Sequence, residues 1–172
     1  MKIGTDPISR WGLSLILLLA VSAFALAEER TLRLPDGEEL RYRVITDPAE
    51  SARETSHQLL RHLADGNIEA ASAMSNAPMR RYEVLREYAS AVGEEEFKRV
   101  FARYQSPANR ILLEAAIGQR RLVVWDLGEA GNHLVGQFYV RVDGKYLLDD
   151  EPNEERTQLR RVLEALRRRT AN

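Results

Sequence analysis

His57, His62 and His133 are the only imidazoles in the chain, and no cysteine accompanies them. A structural zinc site needs four nitrogen or thiolate ligands at short spacings. His57 and His62 stand five apart, which puts them on different faces of a helix. Metal ligation is therefore not expected. Disulfides, thiolate chemistry and a cysteine-linked lipid are excluded outright. All three histidines read as surface residues. The carboxylates offer more. Asp126 and Asp149 fall, by strand register, on an apolar sheet face, where desolvation raises a carboxyl pKa and can make a general base. The plainer reading, that both sit at strand ends and meet solvent, is preferred because acids are seldom buried. Tyr82 and Tyr104 lie on helix stripes facing that space, and Phe138 lies on the same sheet face. Together Asp126, Tyr82, Tyr104 and Phe138 make the candidate pocket. Asp149-Asp150-Glu151 lacks the ligand spacing and the glycine of a calcium loop, so it reads as a solvated turn. No residue is given a catalytic, cofactor-binding or metal-binding role, and no cofactor is expected.

These side chains must be carried by a domain of modest size. The first 27 residues read as a secretory leader. Lys2 and Arg10 precede the apolar run Leu13–Ala27, which closes on the small-x-small pattern Ala25-Leu26-Ala27 before Glu28-Glu29-Arg30. The run is shorter than the roughly 20 residues of a spanning helix. Cleavage followed by a periplasmic or secreted location is thus expected, with membrane contact only through an uncleaved leader. The 172-residue chain less 27 leaves 145, enough for one core. The leader takes two bases and one acid with it, leaving 23 Lys and Arg against 25 Asp and Glu. That balance gives no electrostatic case for nucleic acid.

Periodicity supplies the elements. Thr31 to Ile45 alternates around Pro35-Asp36-Gly37 and predicts a β-hairpin. Asp47-Pro48-Ala49-Glu50 is a helix start, so helix 1 is expected to run unbroken to Ala64, with Ala52, Ser56, Leu59, Leu60 and Leu63 inward. Gly66 ends it and Asn67 caps a short second helix. Helix 3 begins at Pro78 with Met79, Tyr82, Leu85, Ala89 and Val92 inward. Gly93 separates it from helix 4, Glu94 to Tyr104. From Arg110 to Asp150 the period becomes two. Turns at Gly118-Gln119, Gly128–Asn132 and Asp143-Gly144 divide four strands, and a C-terminal helix spans about Glu154 to Arg169. The expected class is α+β: an N-terminal β-hairpin (residues 28–46), then a domain over 47–170 of four helices, a four-stranded antiparallel meander and the C-terminal helix.

Turn lengths fix which strand residues share a face. Ile111, Leu113, Ala115, Ile117, Leu122, Val124, Leu134, Phe138 and Val140 form the greasier face, expected beneath the first four helices. Trp125, Val135, Tyr139, Tyr146 and Leu148 make an aromatic patch on the other face. That patch is a candidate interface for a second copy or a protein partner, unless helix 5 or the hairpin covers it. Arg160, Arg161 and Arg167-Arg168-Arg169 make helix 5 basic, and the last three complement the helix dipole.

The opening Leu59-Leu60-Arg61-His62-Leu63-Ala64-Asp65-Gly66-Asn67-Ile68-Glu69-Ala70-Ala71 and the closing Phe138-Tyr139-Val140-Arg141-Val142-Asp143-Gly144-Lys145-Tyr146-Leu147-Leu148 resemble the nuclear transport factor 2-like superfamily of cystatin-like α+β cones. The likeness is nearest to small exported bacterial members of unknown function. It implies a curved sheet wrapped on helices over about Pro48 to Asp150. The family's enzymes usually place strands between the second helix and the next long one, whereas Pro78 to Tyr104 reads wholly helical here, and no catalytic position carries over. The leading functional expectation is an exported, non-enzymatic binding or accessory domain. The alternative is a small-molecule enzyme or carrier using an apolar cone pocket, and an inhibitor of the immunity type is a weaker third.

Overall fold

The computed structural model describes residues 28–34, 37–128 and 133–170. The expected leader, Pro35-Asp36 of the first turn and residues 129–132 lie outside them. Among the described residues the protein is α+β, with a six-stranded antiparallel sheet in sequential order and five helices, the last of them after the sheet. The elements are β1 (Glu28–Arg33), β2 (Glu39–Val44), α1 (Arg53–Ala64), α2 (Ile68–Ala73), α3 (Pro78–Val92), α4 (Glu94–Ala102), β3 (Asn109–Ile117), β4 (Arg120–Leu127), β5 (His133–Val142), β6 (Lys145–Leu148) and α5 (Glu154–Thr170). No helix among these is long and apolar enough to cross a membrane.

The hairpin is not a separate unit. Arg43 and Val44 pair with Ala116 and Ala115, so β1 and β2 extend the expected four-strand meander to six. Most turns form as their residues require. Asp143 and Gly144 take φ of 48° and 78°, the positive pair demanded by a tight hairpin of the primed type. One register slip changes face membership. A bulge at Leu112 lets Ile111 oppose Trp125 while Leu113 opposes Val124. The extra residue moves Ile111 to the opposite face from Leu113, and Leu112 is left 44% exposed.

The larger correction concerns what covers each face. Leu113, Ala115, Leu122, Val124 and Leu134 pack against Leu159, Val162 and Leu163 of α5 and against Leu32, Leu40 and Val44 of the hairpin. The first four helices do not lie there. They cover the other face, where Ala52, Leu60, Phe101 and Tyr104 meet Val123, Trp125 and Tyr139. The sheet is thus buried on both sides. Alternation assigns residues to faces, but with apolar groups on both it does not say which helix each face receives. Each fully buried side chain such as Leu159 or Val162 contributes about 1.5–3 kcal/mol.

Two helices differ from expectation in instructive ways. Asp47 does cap a helical turn, accepting from the Ala49 N–H at 2.9 Å, but the turn is 3-10 and stops at Glu50. Ser51 is extended (ψ 140°), and α1 begins afresh at Arg53. The break is held by side chains from the sheet. The buried Glu114 carboxylate accepts from the Ser51 hydroxyl at 2.6 Å and the Ala52 N–H at 2.7 Å. Arg121 Nε and the Tyr146 hydroxyl both donate to the Glu50 carbonyl. In α3 the inward residues are Leu85, Tyr88 and Ala89, which meet Phe97 and Phe101, while Met79 is 73% exposed and Val92 is at the surface. Arg81, on the same stripe as Leu85 and Tyr88, makes a paired hydrogen bond to Asp150, and that part-buried ion pair selects the rotation.

Candidate functional site

The first two and a half turns of α1 place Arg53, His57, Leu60 and Arg61 along one side of the helix, at steps of three and four. Opposite them stands the bend after α4, Tyr104 to Pro107, which runs into Asn109, Arg110 and Ile111 of β3. Between the two lies a cleft of about 590 Å³ floored by Trp125 of β4. The Trp125 ring is 1% exposed and is met edge-on by His57 (centroids 5.1 Å apart) and Tyr104 (5.7 Å).

The wall is rich in hydrogen-bond donors. Its three guanidiniums are steadied from outside the cleft: Arg53 by Glu114 (3.5 Å), Arg61 by Glu54 (3.0 Å) and Arg110 by Asp126 (3.6 Å). A guanidinium carries five N–H groups, so a single carboxylate contact leaves donors to spare. None of the lining residues is itself a carboxylate. Burial pushes the Tyr104 phenol up from its ordinary pKa, so it keeps its proton and remains an O–H donor. Asn109 ties the bend by donating to the Arg103 carbonyl, while its own Oδ1 is buried without a partner.

Behind the floor lies a polar knot. Gln137 Oε1 accepts from Ser56, from Trp125 Nε1 (3.1 Å) and from the Tyr139 hydroxyl (3.1 Å). Tyr139 is fully buried, and burial raises its phenol pKa well above the ordinary value. The knot fixes the indole's orientation, because a buried donor left unpaired costs about 1–3 kcal/mol.

The residues expected to share one pocket stand in three places. Tyr104 lines the cleft, and Asp126 stands at its rim through Arg110, one carboxylate oxygen buried without a partner. Tyr82 lies on the outer side of α3 beside Arg86. Phe138, midway along β5, lies beneath Arg156 and lines a separate hollow with Leu59, Leu63 and Leu85. Phe97, Phe101 and Tyr88 fill much of the space among α1, α3 and α4, and a hollow remains between those helices and the sheet. Of the candidate interface, Trp125 and Tyr139 are sealed within the chain, and Val135, Tyr146 and Leu148 are half-buried under the same helices.

The acidic triplet also differs from expectation. Asp149 is 1% exposed, bonded to Arg120 and Asn76 at 2.9 Å each. Asp150 accepts from Ser75 and Arg81. Only Glu151 is the exposed turn residue anticipated. Of the histidines, His57 and His133 are exposed, and His57 joins the cleft wall.

Compared with known proteins, the chain matches no family model, no curated protein and no solved structure.

Arg53, Arg61, Arg110 and Asn109 were not singled out by sequence reasoning. One signal was present: Arg53, His57 and Arg61 recur every fourth residue, a cationic stripe beside the apolar one. Nothing in the sequence pairs that stripe with Arg110, nearly fifty residues on, because only the closure of α1 over the β3–β4 face brings them together.

Proposed function

We propose that this is an exported binding domain whose cleft between α1 and the start of β3 holds a small anionic molecule with a flat apolar portion. One observation carries the reading: three guanidiniums, an imidazole and a protonated phenol line one wall system without a carboxylate, over an aromatic floor. Planar forks of N–H donors suit carboxylate and phosphate oxygens, and the ring edges of His57, Tyr104 and Trp125 suit a flat hydrocarbon. The cleft's volume falls within the roughly 300–1,000 Å³ usual for small-molecule sites. The proposed kinship with nuclear transport factor 2-like cones agrees with a ligand held between helices and an antiparallel sheet.

The chain carries a built-in reporter. Of its two tryptophans, Trp11 belongs to the expected leader, so the protein starting at Glu28 has Trp125 alone. Titration of that protein with benzoate and with phenyl phosphate should change Trp125 emission saturably. Arg61→Ala and Arg110→Ala should each weaken binding about tenfold, the loss expected for one charge-assisted contact. Emission that stays constant into the millimolar range, or affinities indifferent to both substitutions, would overturn the proposal.

A further inference from the structure

A second hollow opens on the other flank of α1. It measures about 300 Å³, and its apolar wall comes from Leu59, Leu63, Leu85, Phe101 and Leu148. The facing wall is a strand edge. β6 is four residues long and pairs only with Tyr139 to Val142, so the first half of β5 has no strand beyond it. Two carbonyls on that edge are already taken. Phe138 C=O accepts from the Asp149 N–H at 2.8 Å, and Leu134 C=O accepts from Arg167 Nε at 3.0 Å. Alternate residues of an antiparallel strand aim their backbone groups the same way. Gly136, midway between the two, therefore turns its amide toward the hollow that it lines.

Arg81 and Arg156 line the hollow, and Arg120 pairs with Asp149, another of its lining residues. Arg81 is held by Asp150, and Arg120 by Asp149 and Glu155. Arg156 is different. Its guanidinium lies over the Phe138 ring, 5.3 Å from the centroid, and it carries no ion pair among the described residues. Its Nε is buried without a hydrogen-bond partner. A buried charged donor left open is uncommon and costly. Asp149 and Asp150 line the same hollow, each paired with another arginine, and Asp150 also interacts electrostatically with Arg156 without a hydrogen bond or a close ion pair to it.

We propose that this hollow is a second binding site, separate from the arginine cleft, for a small amphiphilic carboxylate. The hydrocarbon lies against Leu59, Leu63, Leu85 and Phe101, and the carboxylate pairs with Arg156. The Gly136 N–H is a further donor in that wall. An extended peptide is the poorer occupant, because strand addition needs a run of open backbone groups and the caps at Leu134 and Phe138 leave one residue between them.

Calorimetry on the protein starting at Glu28, with octanoate and with 1-octanol, tests this. Octanoate should bind one to one and about tenfold or more tighter than octanol, the margin of a charge-assisted contact. Arg156→Gln should bring octanoate to the level of octanol, and Arg61→Ala, in the first cleft, should leave it unchanged. Octanoate that does not bind, binds no better than octanol, ignores Arg156→Gln or is lost with Arg61→Ala overturns the site. If Arg156→Gln fails to fold, the octanoate-to-octanol ratio on the unaltered protein still decides. The benzoate titration followed at Trp125 stands or falls independently.

Discussion

Replacing Glu114 by alanine should destabilise the protein by about 2–4 kcal/mol, and replacing it by glutamine by about half as much or less. Glu114 is fully buried and makes three contacts, to Ser51 Oγ (2.6 Å), Ala52 N (2.7 Å) and Arg53 Nε (3.5 Å). The Arg53 side chain is 45% exposed, so solvent screening cuts that pair to well under about 1 kcal/mol. Ser51 is only part-buried and can turn its hydroxyl to water. The Ala52 N–H cannot: it is buried at the start of α1, and losing its acceptor costs about 1–3 kcal/mol. The volume left behind adds to this. Deleting the carboxylate also removes its own desolvation penalty, which keeps the total below the sum of the bonds. Glutamine preserves the shape and keeps an acceptor for the Ala52 N–H, but its NH2 stands where the other oxygen met Ser51 and Arg53, so the Ser51 hydroxyl must turn to accept and the weak Arg53 pair is lost. Urea unfolding at fixed m-value measures both. The midpoints should order as unaltered, Gln, then Ala, with Ala markedly lower. If alanine costs under about 1 kcal/mol, or the two variants fall together, the carboxylate is not what breaks the helix at Ser51. The same substitution should weaken benzoate in the first cleft, because Arg53 and His57 are aimed by the start of α1.

Three further outcomes are expected. A Cβ at Gly136 would stand 2.5 Å from Leu163 Cδ2 and 2.8 Å from Leu122 Cδ1, so Gly136→Val should cost about 1–3 kcal/mol by overpacking. Leu163→Ala in the same chain should recover part of that loss, which denaturation of the single and double variants would show as a departure from additivity. Burial alone would raise the Asp150 carboxyl, but hydrogen bonds from Arg81 and Ser75 outweigh it and hold the pKa below the usual carboxylate range. The ionised form therefore favours the fold. Its contribution is complete above the unfolded value of about 3.9 and is lost as pH falls through the lower folded value. Asp150→Asn should flatten the acid limb of stability measured from pH 6 downward. Gln137→Leu removes the acceptor shared by Ser56, Trp125 and Tyr139. Because Ser56 can still receive the indole N–H, thermal melts should show a loss of about 2–3 kcal/mol rather than three full bonds.

Much of the architecture was legible because it is written locally. Gly93 divides α3 from α4, Asn67 caps α2 through the Ala70 N–H, and Asp143-Gly144 turns β5 into β6, each by the backbone preference of one or two residues. Face membership was legible from alternation, apart from Ile111, which the Leu112 bulge displaces without any mark in the residue types. What the sequence could not convey was long-range. Two apolar sheet faces and two sets of apolar helices can be matched in two ways, and hydrophobicity alone does not choose. The break at Ser51 depends on Glu114, more than sixty residues away, overruling a good local helix start. The residues expected in one pocket are divided for the same reason: Phe138 lines the hollow under α1 and α3, while Tyr82 lies on the outer side of α3. Tyr104 entered the cleft because it belongs to the bend that closes on α1.

The hairpin and α5 build one apolar layer, joined at the surface by Arg161 and Glu38, 123 positions apart. The earliest described segment to be synthesised thus finds its cover in the latest. Until α5 is complete, Leu32, Leu40 and Val44 and the adjoining side of the sheet have no lid, so a chain emerging in order cannot seal its interior from the front. It should remain open, sticky and easily threaded or cleaved until its final turns appear, then close in one cooperative step.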